Sequence, residues 1–263
     1  MWSIYFDSLL IMLLLGFATW LISLVKNNVS IVDSLWSVLF LAAGIYVFVN
    51  SPARSSAGML LMILLALWAL RLSVFLTVRN WGEPEDRRYR VIRENNSPHF
   101  AFKSLFIVFT LQVLIAWVIF MGLLPGLYRP SELGLQHIIG ILLWLIGFTF
   151  ESTADWQLHT FRKNSAPGDV MQTGLWRYSR HPNYFGEFLI WWAFFLMTVS
   201  ATTWWVIIAP LIMTVLLLKI SGVGMMEAGI TSRRPAYRHY IARTSVFFPW
   251  MPRSVKTQMA REG

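Results

Sequence analysis

Long uncharged apolar runs constrain this chain more than any other feature. Residues 8–25, 104–128 and 188–218 carry no Asp, Glu, Lys or Arg. A run of about 20 apolar residues is what a helix needs to cross the roughly 30 Å hydrocarbon layer of a membrane. Within that layer a helix satisfies its own backbone groups, which an isolated strand cannot do. The runs therefore predict an all-α, polytopic membrane protein of about seven transmembrane helices. Their expected spans are 3–25, 30–49, 57–78, 104–126, 134–155, 185–200 and 203–221. The sixth is short for a full crossing, and Pro125 and Pro210 are expected to kink the helices that hold them.

Composition agrees. Charged residues make up 13% of the chain, against about 25% in a soluble domain. No polar stretch is long enough for a large soluble domain, so 1–263 reads as one integral-membrane domain. The first segment lacks a basic leader and a small-residue cleavage site, and reads as a retained helix. Cysteine is absent, which excludes disulfide and thiolate chemistry.

The net charge of +9 lies in the loops and tail, mainly in 79–103, 156–184 and 219–263. This is the bias that marks cytoplasmic loops, not a nucleic-acid surface. With seven spans it places the N-terminus outside and the C-terminus in the cytoplasm. The membrane expected is a bacterial inner membrane. The three basic segments then share one face, where they can jointly enclose a phosphate-rich ligand. Segment 79–103 reads as a turn at Gly82 and Pro84 followed by a short surface helix. The aromatic tail residues Tyr237, Tyr240, Phe247, Phe248 and Trp250 read as a surface helix and an interfacial anchor.

Charges inside or at the ends of the spans are few: Asp33, Arg71, Glu151, Asp155, Glu187 and Lys219. Lys219 lies near a span end and can snorkel. Arg71 either pairs with Asp33 or contacts a ligand phosphate or carbonyl. Glu151, Asp155, His159 and Arg162 follow intervals of four, four and three, which places them on one helical stripe. Such a stripe offers carboxylates to ribose hydroxyls and a guanidinium to phosphate; its bland alternative is a ladder of charges at a helix end. The cluster Arg177-Tyr178-Ser179-Arg180-His181-Pro182-Asn183-Tyr184-Phe185-Gly186-Glu187 is the most polar element beside an apolar run. Arg180 and His181 are candidate phosphate contacts, Asn183 an amide or hydroxyl contact, and Tyr184 an aromatic face. Pro182 marks a helix start, itself favourable for anions. An interfacial belt explains the Arg, His and Tyr, but not Asn183 and Glu187. No nucleotide-binding glycine loop, zinc-peptidase motif or serine-hydrolase elbow occurs, and no metal site is expected.

Ser179 to Glu187 resembles the signature of bacterial membrane proteins of the steroid 5-alpha-reductase superfamily. So do Ile31 to Trp36, Arg79 to Gly82 and Thr244 to Trp250. The resemblance implies a seven-helix fold in which NADPH enters from the cytoplasm and gives hydride to the beta carbon of an enone. It implies cofactor contacts at Asn80, Asp155, Arg162, Asn183 and Glu187, with Arg71, Tyr184 and Glu227 beside them. The superfamily's catalytic glutamate aligns near Asp33, and its tyrosine near Trp68. Indole N–H is a hydrogen-bond donor and no practical acid, so Asp33 or water has to supply the proton. Residues 1–126 would form a pocket for a sterol-like, enone or lipid substrate, and 127–263 the cofactor part. The alternative is an S-adenosylmethionine-dependent membrane methyltransferase of the isoprenylcysteine or phospholipid type, since Arg180 to Gly186 also fits that signature.

Overall fold

The computed structural model describes residues 1–166, 168–220, 222–227 and 230–253. Pro167 of the expected loop and the basic tail 254–263 lie outside them. The described residues are helical with no named strand: α1 Trp2–Lys26, α2 Ile31–Val49, α3 Ser56–Asn80, α4 Arg87–Asn95, α5 Phe100–Phe120, α6 Leu124–Tyr128, α7 Leu135–Asn164, α8 Pro182–Thr198, α9 Trp204–Ile220, α10 Val223–Glu227, α11 Ile230–Arg233 and α12 Tyr237–Arg243. Five of them, α1, α2, α3, α5 and α7, are long and apolar enough to cross a membrane. The protein is thus an integral membrane protein. Helices α8 and α9 are 17 residues each, about 25 Å at the α-helical rise.

The chain divides into two compact units, 1–137 with 197–209, and 138–196 with 210–263. In the first, α2 packs on α1 and α3. Ser37 Oγ donates to the Ala69 carbonyl at 2.8 Å, a buried bond between α2 and α3. Tyr5 Oη donates to the Trp117 carbonyl at 2.8 Å, and Trp117 Nε1 returns a bond to the Tyr5 carbonyl at 3.0 Å. Their rings stack at 4.4 Å, which locks α1 to α5. The opposite face of α1, with Phe6, Leu10, Leu14, Phe17 and Leu21, is exposed. That is the face expected to meet lipid.

Two prolines behave differently from expectation. The fourth span stops at Phe120, and Pro125 sits in the first turn of the separate short helix α6. There a missing N–H costs nothing, because the first-turn donors have no helical partner anyway. Pro210 lies where a 3₁₀ turn over 204–207 passes into α-helix, again near a helix start.

In the second unit, α7 and α8 cross at Gly147 and Gly186. A Cβ on Gly186 would stand 2.5 Å from the Gly147 carbonyl and 2.5 Å from the Glu151 nitrogen. The crossing therefore brings the first turns of α8 against the acidic stretch of α7. The 3₁₀ turn Gly174–Arg177 seats on α7 as well: Trp176 Nε1 donates to the Ala154 carbonyl, and Leu175 N to Gln157 Oε1. We expect Gly147→Leu to destabilise the protein by about 1–3 kcal/mol through overpacking. Gly134→Ala, with nothing within 4 Å of the added carbon, should be close to neutral. Thermal unfolding in detergent micelles compares the two.

Candidate functional site

The second unit gathers most of the residues singled out from the sequence. α7 is one continuous helix through Asn164, so Glu151, Asp155, His159 and Arg162 do share a stripe. It runs from buried to exposed: Glu151 and Asp155 are buried, His159 is half-buried and Arg162 is exposed. Asn183 Nδ2 on α8 donates to Asp155 Oδ1 at 3.2 Å. Glu187 follows one turn later, half-buried.

The approach to α8 is extended and held from the tail. Arg180 N donates to the Ser245 carbonyl at 2.8 Å, and Ser179 Oγ to the Phe247 carbonyl at 2.7 Å. Tyr240 Oη donates to the carbonyls of Trp176 and Ser179, and Trp250 N to the Tyr178 carbonyl at 3.0 Å. Tyr237, Tyr240 and Phe247 are consequently buried, not an interfacial belt; Phe248 and Trp250 are exposed. Aromatic tail residues read equally well as anchor or as core, and only their backbone partners decide.

This strap aims Arg180 and His181 inward, where both are buried. Arg180 Nη1 donates to the Ile241 carbonyl at 3.1 Å and Nη2 to Glu227 Oε2 at 3.1 Å. Its Nε stands 2.8 Å from Glu227 Oε1, an ionic contact too bent for a further hydrogen bond. His181 Nε2 lies 3.0 Å from the same Oε1, and Tyr184 stacks parallel to the His181 ring. Burial alone would raise the Glu227 carboxyl. The hydrogen bond with His181 and the charge of Arg180 outweigh it and hold the group below its ordinary value. Tyr237 is pushed up to about 12, first by burial and then by the charge of Glu227.

The remaining predicted residues belong to the first unit. Trp68 is fully buried on α3, edge-on to Phe40 at 5.9 Å. Arg71, one turn on, is half-buried. Asn80 Oδ1 accepts from Arg79 Nε at 3.0 Å. Asp33 opens α2 and accepts from Arg88 Nη2 at 2.7 Å and from Tyr89 Oη at 2.6 Å.

Arg88 also reaches Asp86, the N-cap of α4, with Nε 3.1 Å from Oδ1. Burial disfavours the Arg88 charge, but Asp33, Tyr89 and Asp86 together more than compensate and raise its pKa. Tyr89 is raised too, mainly by burial and then by Asp33. Alongside, Glu85 accepts two bonds from Arg93, at 2.8 and 2.7 Å, and one from Val29 N at 2.9 Å. Sequence reasoning missed Glu85, Arg88, Tyr89 and Arg93 as partners of the α1–α2 turn. The available signal was the run Glu85-Asp86-Arg87-Arg88 at a helix start, where a capping acid next to arginines predicts a fixed guanidinium. Among the described residues no group of three His, Cys, Asp or Glu could hold a metal ion.

A family model described as protein of unknown function (DUF1295) matches residues 19–244. The chain belongs to this family. It is also similar to the uncharacterized protein C594.04c of Schizosaccharomyces pombe, at 28% identity over 74% of this chain. The match spans 64% of that relative's length. No solved structure matches.

Two outcomes follow from the geometry. Arg88→Ala leaves Asp33 and Asp86 without their guanidinium and should cost about 1.5–3 kcal/mol, read as a lowered unfolding midpoint. Because the Glu227 pKa is depressed, its contribution is complete above the ordinary value of 4.5 and disappears as the pH falls through the lower native value. Melting curves from about pH 7 down to about pH 3 should therefore lose stability below the ordinary carboxylate value, with a shallower loss in Glu227→Gln.

Proposed function

We propose that this protein is a membrane oxidoreductase of the steroid 5-alpha-reductase type. It would reduce a carbon–carbon double bond of a hydrophobic enone, sterol-like or lipid substrate, using NADPH. The observation that carries the reading is the convergence in the second unit. Asp155 with Asn183, and Arg180 with His181 and Glu227, meet around the first turn of α8. Paired carboxylates, an amide and guanidinium groups are the chemistry that ribose hydroxyls and phosphates require.

The fit of a nucleotide to this chain rests on one further detail. Asn183 Oδ1 is buried and accepts no hydrogen bond among the described residues, so it can receive one from a ligand hydroxyl or amide. In the proposal Glu151, Asp155 and Glu187 take hydroxyls, Arg162 takes phosphate at the exposed end of the stripe, and Tyr184 offers a ring face. NADPH held there would supply one hydride. The chain's part is to hold the substrate carbonyl and deliver one proton, for which Asp33, Trp68 and solvent are the candidates. Arg71 and Asn80 remain assigned to the cofactor by resemblance. In the same proposal α8 and α9 complete seven crossings, and the basic segments place the N-terminus outside and the C-terminus in the cytoplasm of a bacterial inner membrane.

A methyltransferase reading has one observation in its favour. Arg180 is already charge-balanced by Glu227, which weakens the need for a polyphosphate and suits S-adenosylmethionine. Thermal shift of the purified protein with NADPH, NADH and S-adenosylmethionine separates the two, since a ligand stabilises according to its occupancy. NADPH alone should raise the midpoint, and Asn183→Ala should weaken NADPH about tenfold, the loss of roughly one hydrogen bond. A shift with S-adenosylmethionine only would overturn the reductase. Asp33→Asn should lower turnover while changing NADPH affinity by less than about twofold; equal losses would assign Asp33 to anchoring α4 and nothing else.

A further inference from the structure

The buried Arg180 guanidinium and the His181 ring share one carboxylate, that of Glu227. Arg234 is the exposed neighbour of this cluster: its carbonyl accepts from Tyr237 N at 2.9 Å, and its Nη1 donates to the Asp169 carbonyl at 3.2 Å. The dipole at the start of α8 adds a further positive end, with Pro182 at its first turn. Against these stands Glu227, the most accessible member: its side chain is 20% exposed, while those of Arg180 and His181 are 9% and 7%. Glu227 ends the five-residue helix α10. Arg180 and His181, by contrast, are fixed by backbone bonds to the strap.

We propose that the Glu227 carboxylate is a built-in stand-in for an anionic group of the ligand, and that a phosphate or diphosphate takes its place on Arg180 and His181 as α10 swings away. The inference rests on the nucleotide-site reading for the identity of that anion, but not for the exchange itself. The two oxygens of Glu227 face the Arg180 guanidinium side by side and share one with His181. That is the two-oxygen geometry a phosphate presents to arginine. A tethered carboxylate competes at high effective concentration. Apparent ligand affinity is therefore lowered by the fraction of molecules in which Glu227 holds the site. With the anion bound Arg180 keeps a counter-charge, and Glu227 moves toward solvent.

The test uses the full chain in nanodiscs. Glu227→Gln should bind inorganic pyrophosphate about tenfold more tightly than the unaltered protein, if Glu227 occupies the site in about nine molecules of ten. Its unfolding midpoint should rise with added pyrophosphate, while that of the unaltered protein rises less. If the variant fails to fold, hydrogen exchange on the unaltered protein answers instead: pyrophosphate should accelerate exchange in residues 223–227 and leave 178–181 protected. NADPH and nanodiscs with or without phosphatidylglycerol form two further arms, which tell a soluble phosphate from a lipid headgroup. Tightening by pyrophosphate without any NADPH binding upholds the exchange and removes the nucleotide reading. Unchanged or weaker pyrophosphate binding in Glu227→Gln, or slower exchange in 223–227, overturns the proposal and makes Glu227 a fixed structural partner.

Discussion

A buried guanidinium without a counter-charge is among the most expensive things a chain can place beside an apolar helix, and the second unit is arranged around Arg180. Its side chain is neutralised by Glu227 from α10 and capped by the Ile241 carbonyl in α12. Its backbone is bonded to Ser245. Three sequence-distant elements are thus drawn to one residue. Removing a single partner from such a pair costs far more than the pair contributes when intact, so these elements stand or fall together. The entry to α8 follows from that: once Arg180 is fixed, Pro182 starts the helix, Asn183 reaches Asp155, and Gly186 meets the α7 backbone.

The first unit solves a similar problem with different parts. Asp33 would be a lone carboxylate at the start of an apolar helix. It is matched instead by Arg88 and Tyr89 from α4. Glu85 ties Arg93 to the backbone of the turn before α2. The surface helix is therefore part of the membrane helices' termination, and its charges are largely spent on holding the α1–α2 turn. Arg87 and Arg90, on the other face, remain exposed.

Much of this was legible before any coordinates. The uncharged runs announce helices because nothing else satisfies a backbone in lipid. The interval from Glu151 to Arg162 announces a stripe because α7 proves unbroken across it. Pro182 announces the start of α8. Other parts were not legible for physical reasons. Helix length near 17 residues leaves crossing undecided by count alone. Tyr240 and Phe247 have the same composition as an interfacial belt, yet are buried by the strap. The partners of Asp33 lie 55 and 56 positions away, and no local period encodes a pairing at that distance. Glu227 entered only through the family resemblance, and its grip on both Arg180 and His181 depends on tertiary folding.

The strap also sets an order of assembly. Ser179 and Arg180 find their acceptors at Phe247 and Ser245, more than sixty positions downstream. While a ribosome is still making α9, those backbone groups have only water or lipid headgroups as company. Biogenesis of the second unit is thus a late event: its helices can enter the bilayer one by one, but the polar entrance of α8 closes only after translation has passed the tail.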